Sequence, residues 1–137
     1  MRTIFDITTA DCRPQGDHVD PTAPGYGSHL PFHAILQRCG IAWSSYLLNE
    51  HDIDTSVIVP NINANFLAEV HPGQLDVDVV VTRVGGSSFT VQCRVVQDAQ
   101  PVATVDVVLV AFDYDQRASR PIAPRHRESL EAALTTV

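Results

Sequence analysis

The sequence predicts an α+β fold: a five-stranded antiparallel sheet wrapped around one long central helix. Residues 28–50, SHLPFHAILQRCGIAWSSYLLNE, are the one long stretch with helical periodicity. In it Phe32, Ile35, Leu36, Cys39, Trp43, Tyr46 and Leu47 recur at the spacing of a buried stripe. The segments that follow alternate apolar and polar residues with the period of a strand and are separated by turn residues. A single helix with an apolar stripe must bury it, and a sheet is the only partner this chain offers.

The elements follow in order. Residues 2–9, RTIFDITT, are rich in β-branched residues and read as a first strand. Asp11 to Gly27 is a long loop with Pro14, Pro21, Pro24 and three glycines. A loop of about 17 residues inside a compact domain is more often functional than idle. In the helix, Pro31 suits the first turn, where its missing N–H costs nothing. Gly40 interrupts the helix and is expected to pack closely against the sheet. His51-Asp52-Ile53-Asp54 ends it.

Residues 55–69 form the second strand region, with Pro60 marking an edge or a bulge. Beyond Pro60, Ile62, Ala64 and Phe66 take one face and Asn61, Asn63 and Asn65 the other. His71-Pro72-Gly73 is a turn. Residues 75–84 are the third strand, with Leu75, Val77, Val79 and Val81 on one side. Gly85-Gly86 is a two-residue hairpin turn. Residues 87–97 are the fourth strand, with Phe89, Val91, Cys93 and Val95 inward. Residues 102–114 are the fifth, apolar enough in its second half to be buried on both faces. A basic loop with Arg117 and Arg120 leads to a short C-terminal helix at 125–134.

Composition narrows the chemistry. A chain of 137 residues is read as one domain, 1–137, with room for a proper core. The net charge of −7 argues against nucleic acid and anionic membrane as partners. All nine basic residues are arginine, which excludes Schiff-base and P-loop lysine chemistry. No apolar run is long enough for a membrane span, and the N-terminus has no signal-peptide core, so a cytoplasmic location is expected. Cys12, Cys39 and Cys93 read as buried thiols. None of the six histidines pairs with another His or a Cys at ligand spacing, so no metal and no cofactor is expected. The exposed edges of such a sheet invite pairing with a second copy, giving a homodimer or homotetramer.

In its pattern the chain resembles the hotdog-fold acyl-CoA thioesterases of the 4-hydroxybenzoyl-CoA thioesterase type. The resemblance rests most on NFLAEVHPGQLDVDVVVTRVGGSSFTVQCRVV (65–96) and on the closing VATVDVVLVAFDYDQRASRPIAPRHRESL. The loop and helix start GDHVDPTAPGYGSHLPFHAILQRC also match. This similarity implies hydrolysis of an acyl or aroyl thioester of coenzyme A or acyl-carrier protein. It maps the catalytic carboxylate to Asp20, with Asp17 as the alternative, and the carbonyl-polarising first-turn residue to His29. Substrate contacts fall on Ser28, Phe32, Gln37, Asn63, Ser87 and Ser88.

The physical logic of that assignment is simple. Helix N-terminal amides stabilise the oxyanion, and a carboxylate activates water or attacks directly. Gln37 is a neutral amide where some relatives carry an acid, so it can only orient. Gly85-Gly86-Ser87-Ser88 stands where some relatives carry arginines for nucleotide phosphates. Arg117, Arg120 and Arg125 are candidates for pantetheine-phosphate contacts or, alternatively, a solvated basic loop. Two other readings stay open: an enoyl-thioester hydratase or dehydratase, and a non-catalytic acyl-binding protein.

Overall fold

The computed structural model describes residues 1–13, 16–54 and 56–135. Pro14 of the long loop and Thr55 at the head of the second strand region lie outside the described residues. The element order is β1 (Arg2–Ile7), α1 (Phe32–His51), β2 (Val57–Phe66), β3 (Gly73–Val84), β4 (Ser88–Gln97), β5 (Gln100–Asp113), β6 (Ala118–Ser119) and α2 (Pro124–Ala132). The strands lie in the order β1-β3-β4-β5-β2, every pair antiparallel, and the two-residue β6 pairs with the end of β5.

The antiparallel sheet around a long helix is therefore present, with one correction: a sixth short strand interrupts the basic loop. The short C-terminal helix expected at 125–134 is present as α2, so the fold has a second helix beside the long one; it is anchored by the fully buried Leu130 and by the Arg127 guanidinium. That guanidinium donates to the Gly85 and Gly86 carbonyls at 2.6 and 2.9 Å. Among the described residues no helix is long and apolar enough to cross a membrane.

The strand alternation read from sequence decides what is inside. Leu75, Val77, Val79 and Val81 of β3 are buried, as are Phe89, Val91, Cys93 and Val95 of β4 and Val105, Val107 and Leu109 of β5. Each such side chain contributes about 1.5–3 kcal/mol by leaving water. The other face of β5 is only half-buried at Val108 and Val110, so the expectation of burial on both faces is not met within one chain. Pro60 does sit on an edge strand, and the β2–β5 register slips between Ile58 and Asn61 beside it.

The turns shift by small amounts. Gly85 N–H donates to the Ser88 carbonyl at 2.6 Å, which centres the β3–β4 turn on Gly86-Ser87 rather than on the two glycines. The β4–β5 turn is the one that uses left-handed backbone, at Asp98 (φ 52°) and Ala99 (φ 62°).

Helix α1 starts at Phe32, not Ser28. Leu30 precedes a proline and is pushed out of helical conformation. Its amide instead donates to the Val70 carbonyl at 2.7 Å. The buried face is also rotated from the expected stripe. Ala34, Ile35, Cys39, Ala42, Tyr46 and Leu47 are buried, whereas Phe32 is 62% exposed and Leu36 and Trp43 are half-buried. The small residues Ala34, Cys39 and Ala42 let the helix lie close over β1, β3 and β4. The large aromatics are left on its flank.

Gly40 departs from its expected role. A Cβ built there meets only the Trp43 ring nitrogen, at an ordinary 4.0 Å. Gly40→Ala should therefore raise stability by about 1 kcal/mol, seen as a higher denaturant midpoint at unchanged slope.

The far end of α1 is closed by His51. It is buried, its Nδ1 lies 2.6 Å from Ser129 Oγ of α2, and its ring stands edge-on to Tyr46. Burial above all pushes the His51 imidazole below its ordinary 6.5; Glu50 opposes this, while His126 and the N-terminal ammonium add to it. The unfolded chain thus binds a proton at His51 more readily than the folded one. Stability should fall as pH drops from 6.5 through the lower folded value, and His51→Gln should flatten that slope in denaturation curves taken across this range.

Candidate active site

The bond from Leu30 N–H to the Val70 carbonyl places the start of α1 beside the chain that leaves β2. Between them lies a cleft of about 480 Å³, walled by His29, Pro31, Phe32 and Ile35 on one side and Phe66, Leu67, Glu69 and Val70 on the other. Phe32 and Phe66 meet edge-on across it, with ring centroids 6.2 Å apart.

The helix end that opens here is unusually bare. Its N-cap is Pro31, no side chain caps it, and its first turn carries no acid. The Pro31 carbonyl takes the Ala34 and Ile35 amides at 3.0 and 3.3 Å, leaving those of Phe32 and His33 as the first two of the helix. Such an end carries roughly half a positive charge and favours an anion or a developing oxyanion.

Three titratable side chains gather at the same place. Glu69 lies with one oxygen 3.9 Å from His29 Nδ1 and the other 3.9 Å from His71 Nε2. The His71 ring is oriented by its other nitrogen, which donates to the Ser28 carbonyl at 3.0 Å. Its backbone is held as firmly. The buried Gln97 side chain accepts from the His71 N–H at 2.9 Å and donates to the His71 carbonyl at 2.8 Å. Among the described residues no three such donors converge closely enough to hold a metal ion.

The residues marked in the sequence divide between this cleft and other places. His29 and Phe32 are on its wall, and Ser28 adjoins them, its hydroxyl 3.2 Å from His29 Nδ1. His29 itself precedes the first turn, so its amide is not a helix-terminal one; that position passes to Phe32 because Pro31 delays the helix. Asp17 and Asp20 are absent from the wall. Asp20 is exposed and forms a turn with Thr22, its Oδ1 accepting from the Thr22 hydroxyl at 2.6 Å and amide at 2.9 Å. Those two bonds, the hydroxyl's first, hold the Asp20 carboxyl below its ordinary value.

Gln37 is exposed and accepts from Arg38 at 3.0 Å. Asn63 faces outward on β2, opposite Asp106 in register. Ser87 and Ser88 lie at the far end of β3 from the cleft, roughly 36 Å along a 12-residue strand. Arg120 donates to Ser56 Oγ at 3.1 Å and Arg125 to Asp52 at 2.7 Å, so both serve local structure.

Sequence reading missed Glu69, His71 and Gln97. Glu69 belongs to no periodic pattern, and His71-Pro72-Gly73 reads as a bare turn. Gln97 did leave a signal: it continues the inward series Phe89, Val91, Cys93, Val95, where a polar residue needs a polar partner. The three cysteines are all buried and free. The Cys93 thiol is pushed up by its hydrogen bond with Cys39 and by burial, which keeps it unreactive.

The model of the thioesterase superfamily matches residues 34–104, more than half of the chain. The chain belongs to the thioesterase superfamily. None of the curated proteins matches the sequence. Solved structures share the fold along nearly the whole length. A thioesterase superfamily protein from Jannaschia sp. CCS1 has a TM-score of 0.80 at 20% identity, covering 99% of this chain and 94% of its own. A thioesterase from Thermus thermophilus, complexed with coenzyme A and Zn, has a TM-score of 0.77 at 19% identity, covering 96% and 92%. A 1,4-dihydroxy-2-naphthoyl-CoA thioesterase from Synechocystis has a TM-score of 0.72 at 19% identity, covering 94% and 93%. These likenesses confirm the hotdog-type sheet and helix.

Proposed function

We propose that this thioesterase-superfamily chain hydrolyses an acyl or aroyl thioester of coenzyme A or of acyl-carrier protein in the cleft at the start of α1. One observation carries this reading: an uncapped helix N-terminus opens into a cleft that also holds an ionisable carboxylate. The thioester carbonyl sits at the Phe32 and His33 amides, where the negative charge of the tetrahedral intermediate is stabilised. Phe32 and Phe66 flank the acyl group. Coenzyme A as the thiol carrier is supported by the structural relatives described as bound to it or acting on its thioesters. The activating carboxylate comes either from the loop, as Asp20 or Asp17, or from the cleft wall, as Glu69.

A homodimer, or a dimer of dimers, completes the site in this reading. Among the described residues β2 pairs only with β5 and leaves its other edge open, and Val59, Ile62, Phe66 and Leu67 are exposed along it. A free strand edge with an apolar row beside a cleft is a surface that a second copy covers.

Thiol release from a panel of acyl- and aroyl-CoA and carrier-protein thioesters tests the activity. Phe32→Pro removes one oxyanion amide while keeping a residue the first turn tolerates; it should cost about 100-fold in kcat relative to Phe32→Ala. Absence of release from every thioester would refute hydrolysis. Hydration of an enoyl thioester by the wild type would transfer the site to that chemistry, which the His29–Glu69 pair could also perform. Light scattering should give a mass that is a multiple of 15.0 kDa, and Ile62→Lys should reduce it toward one chain.

A further inference from the structure

We infer that Glu69, rather than a carboxylate of the 11–27 loop, is the base that activates the hydrolytic water; the inference rests on thioester hydrolysis in this cleft. Glu69 is on the cleft wall that faces the bare end of α1, whereas Asp17 and Asp20 are not. Asp20 already spends one oxygen on two bonds to Thr22. Among the described residues the Glu69 carboxylate has no such local bond; imidazole nitrogens of His29 and His71 each lie 3.9 Å from it. That separation exceeds a direct hydrogen bond, so neither imidazole occupies the carboxylate oxygens.

The setting of Glu69 is built rather than incidental. The His71 ring is fixed by the Ser28 carbonyl, and its backbone is clamped on both sides by Gln97, which is only 6% exposed. Burying an amide side chain to hold one exposed turn residue is the support a positioned site requires. Gln97 is therefore a positioning residue for the turn at His71, which begins two residues after Glu69.

The step balances without any added reactant but water. Glu69 takes a proton from the water as its oxygen bonds to the thioester carbon. The carbonyl π electrons move onto oxygen, held by the first amides of α1. The carbonyl then re-forms, the C–S bond breaks, and the departing sulfur takes the proton back from Glu69. The products are a carboxylic acid and a thiol.

The test is full-length protein with the best thioester found in the panel. Glu69→Gln should lower kcat about 100-fold or more, leave KM little changed and abolish the acid limb of the pH–rate profile. Glu69→Asp should retain more activity than Glu69→Gln, and thermal unfolding of both should match wild type. Glu69→Gln within about threefold of wild-type kcat would overturn the assignment, as would collapse in Asp20→Asn with Glu69→Gln still active. Active wild type with an indifferent Glu69→Gln defeats only this inference. Wild type that releases no thiol defeats the hydrolase reading and this inference together.

Discussion

Everything in this molecule depends on one mismatch of widths. Five strands at about 4.8 Å spacing make a face wider than the roughly 10 Å of a helix. The single long helix cannot cover it. It settles over β1, β3 and β4, where small side chains on its underside allow close approach. The far side of the sheet, at β2, is left with exposed apolar side chains and, among the described residues, an open edge. The cleft, the exposed apolar row on β2 and the aromatics on the helix flank are all results of that placement.

The second constraint is where the helix begins. A proline preceded by a residue that must stay extended delays the first turn to Phe32, and the Leu30–Val70 backbone bond fixes that turn against the segment after β2. No side chain satisfies the first amides. In a structural helix that would be a deficiency, since caps contribute about 1 kcal/mol. Here the open end faces a cleft with a carboxylate, so the missing cap leaves the positive end available for chemistry. The opposite end of α1 is treated in the reverse manner, buried against α2 through His51 and Ser129.

Much of the fold was legible in the sequence because it rests on periodicity. The inward series of β3 and β4 and the edge position signalled by Pro60 follow from which residues can tolerate water or a missing N–H. The site was less legible. His29 and Phe32, marked because they adjoin the helix start, line the cleft. Asp20 was marked because the resemblance to the hotdog thioesterases maps the loop carboxylate there; in the structure its bonds serve a turn with Thr22. Glu69 and His71 gave no signal, since a residue after a strand and a residue in a turn acquire meaning only from what lies across from them.

The sequence by itself determined the alternating core, the order of elements and the presence of one long buried helix, because strand and helix periods are local properties of the chain. Tertiary structure decided which face of that helix meets the sheet, since the choice between the Phe32–Trp43 flank and the Ala34–Ala42 side turns on how closely the two can approach. It also decided the site. The carboxylate at 69, the ring at 71 and the amide at 97 lie far from residue 29 in sequence, and only the closing of β2 and β4 onto the start of α1 brings them together.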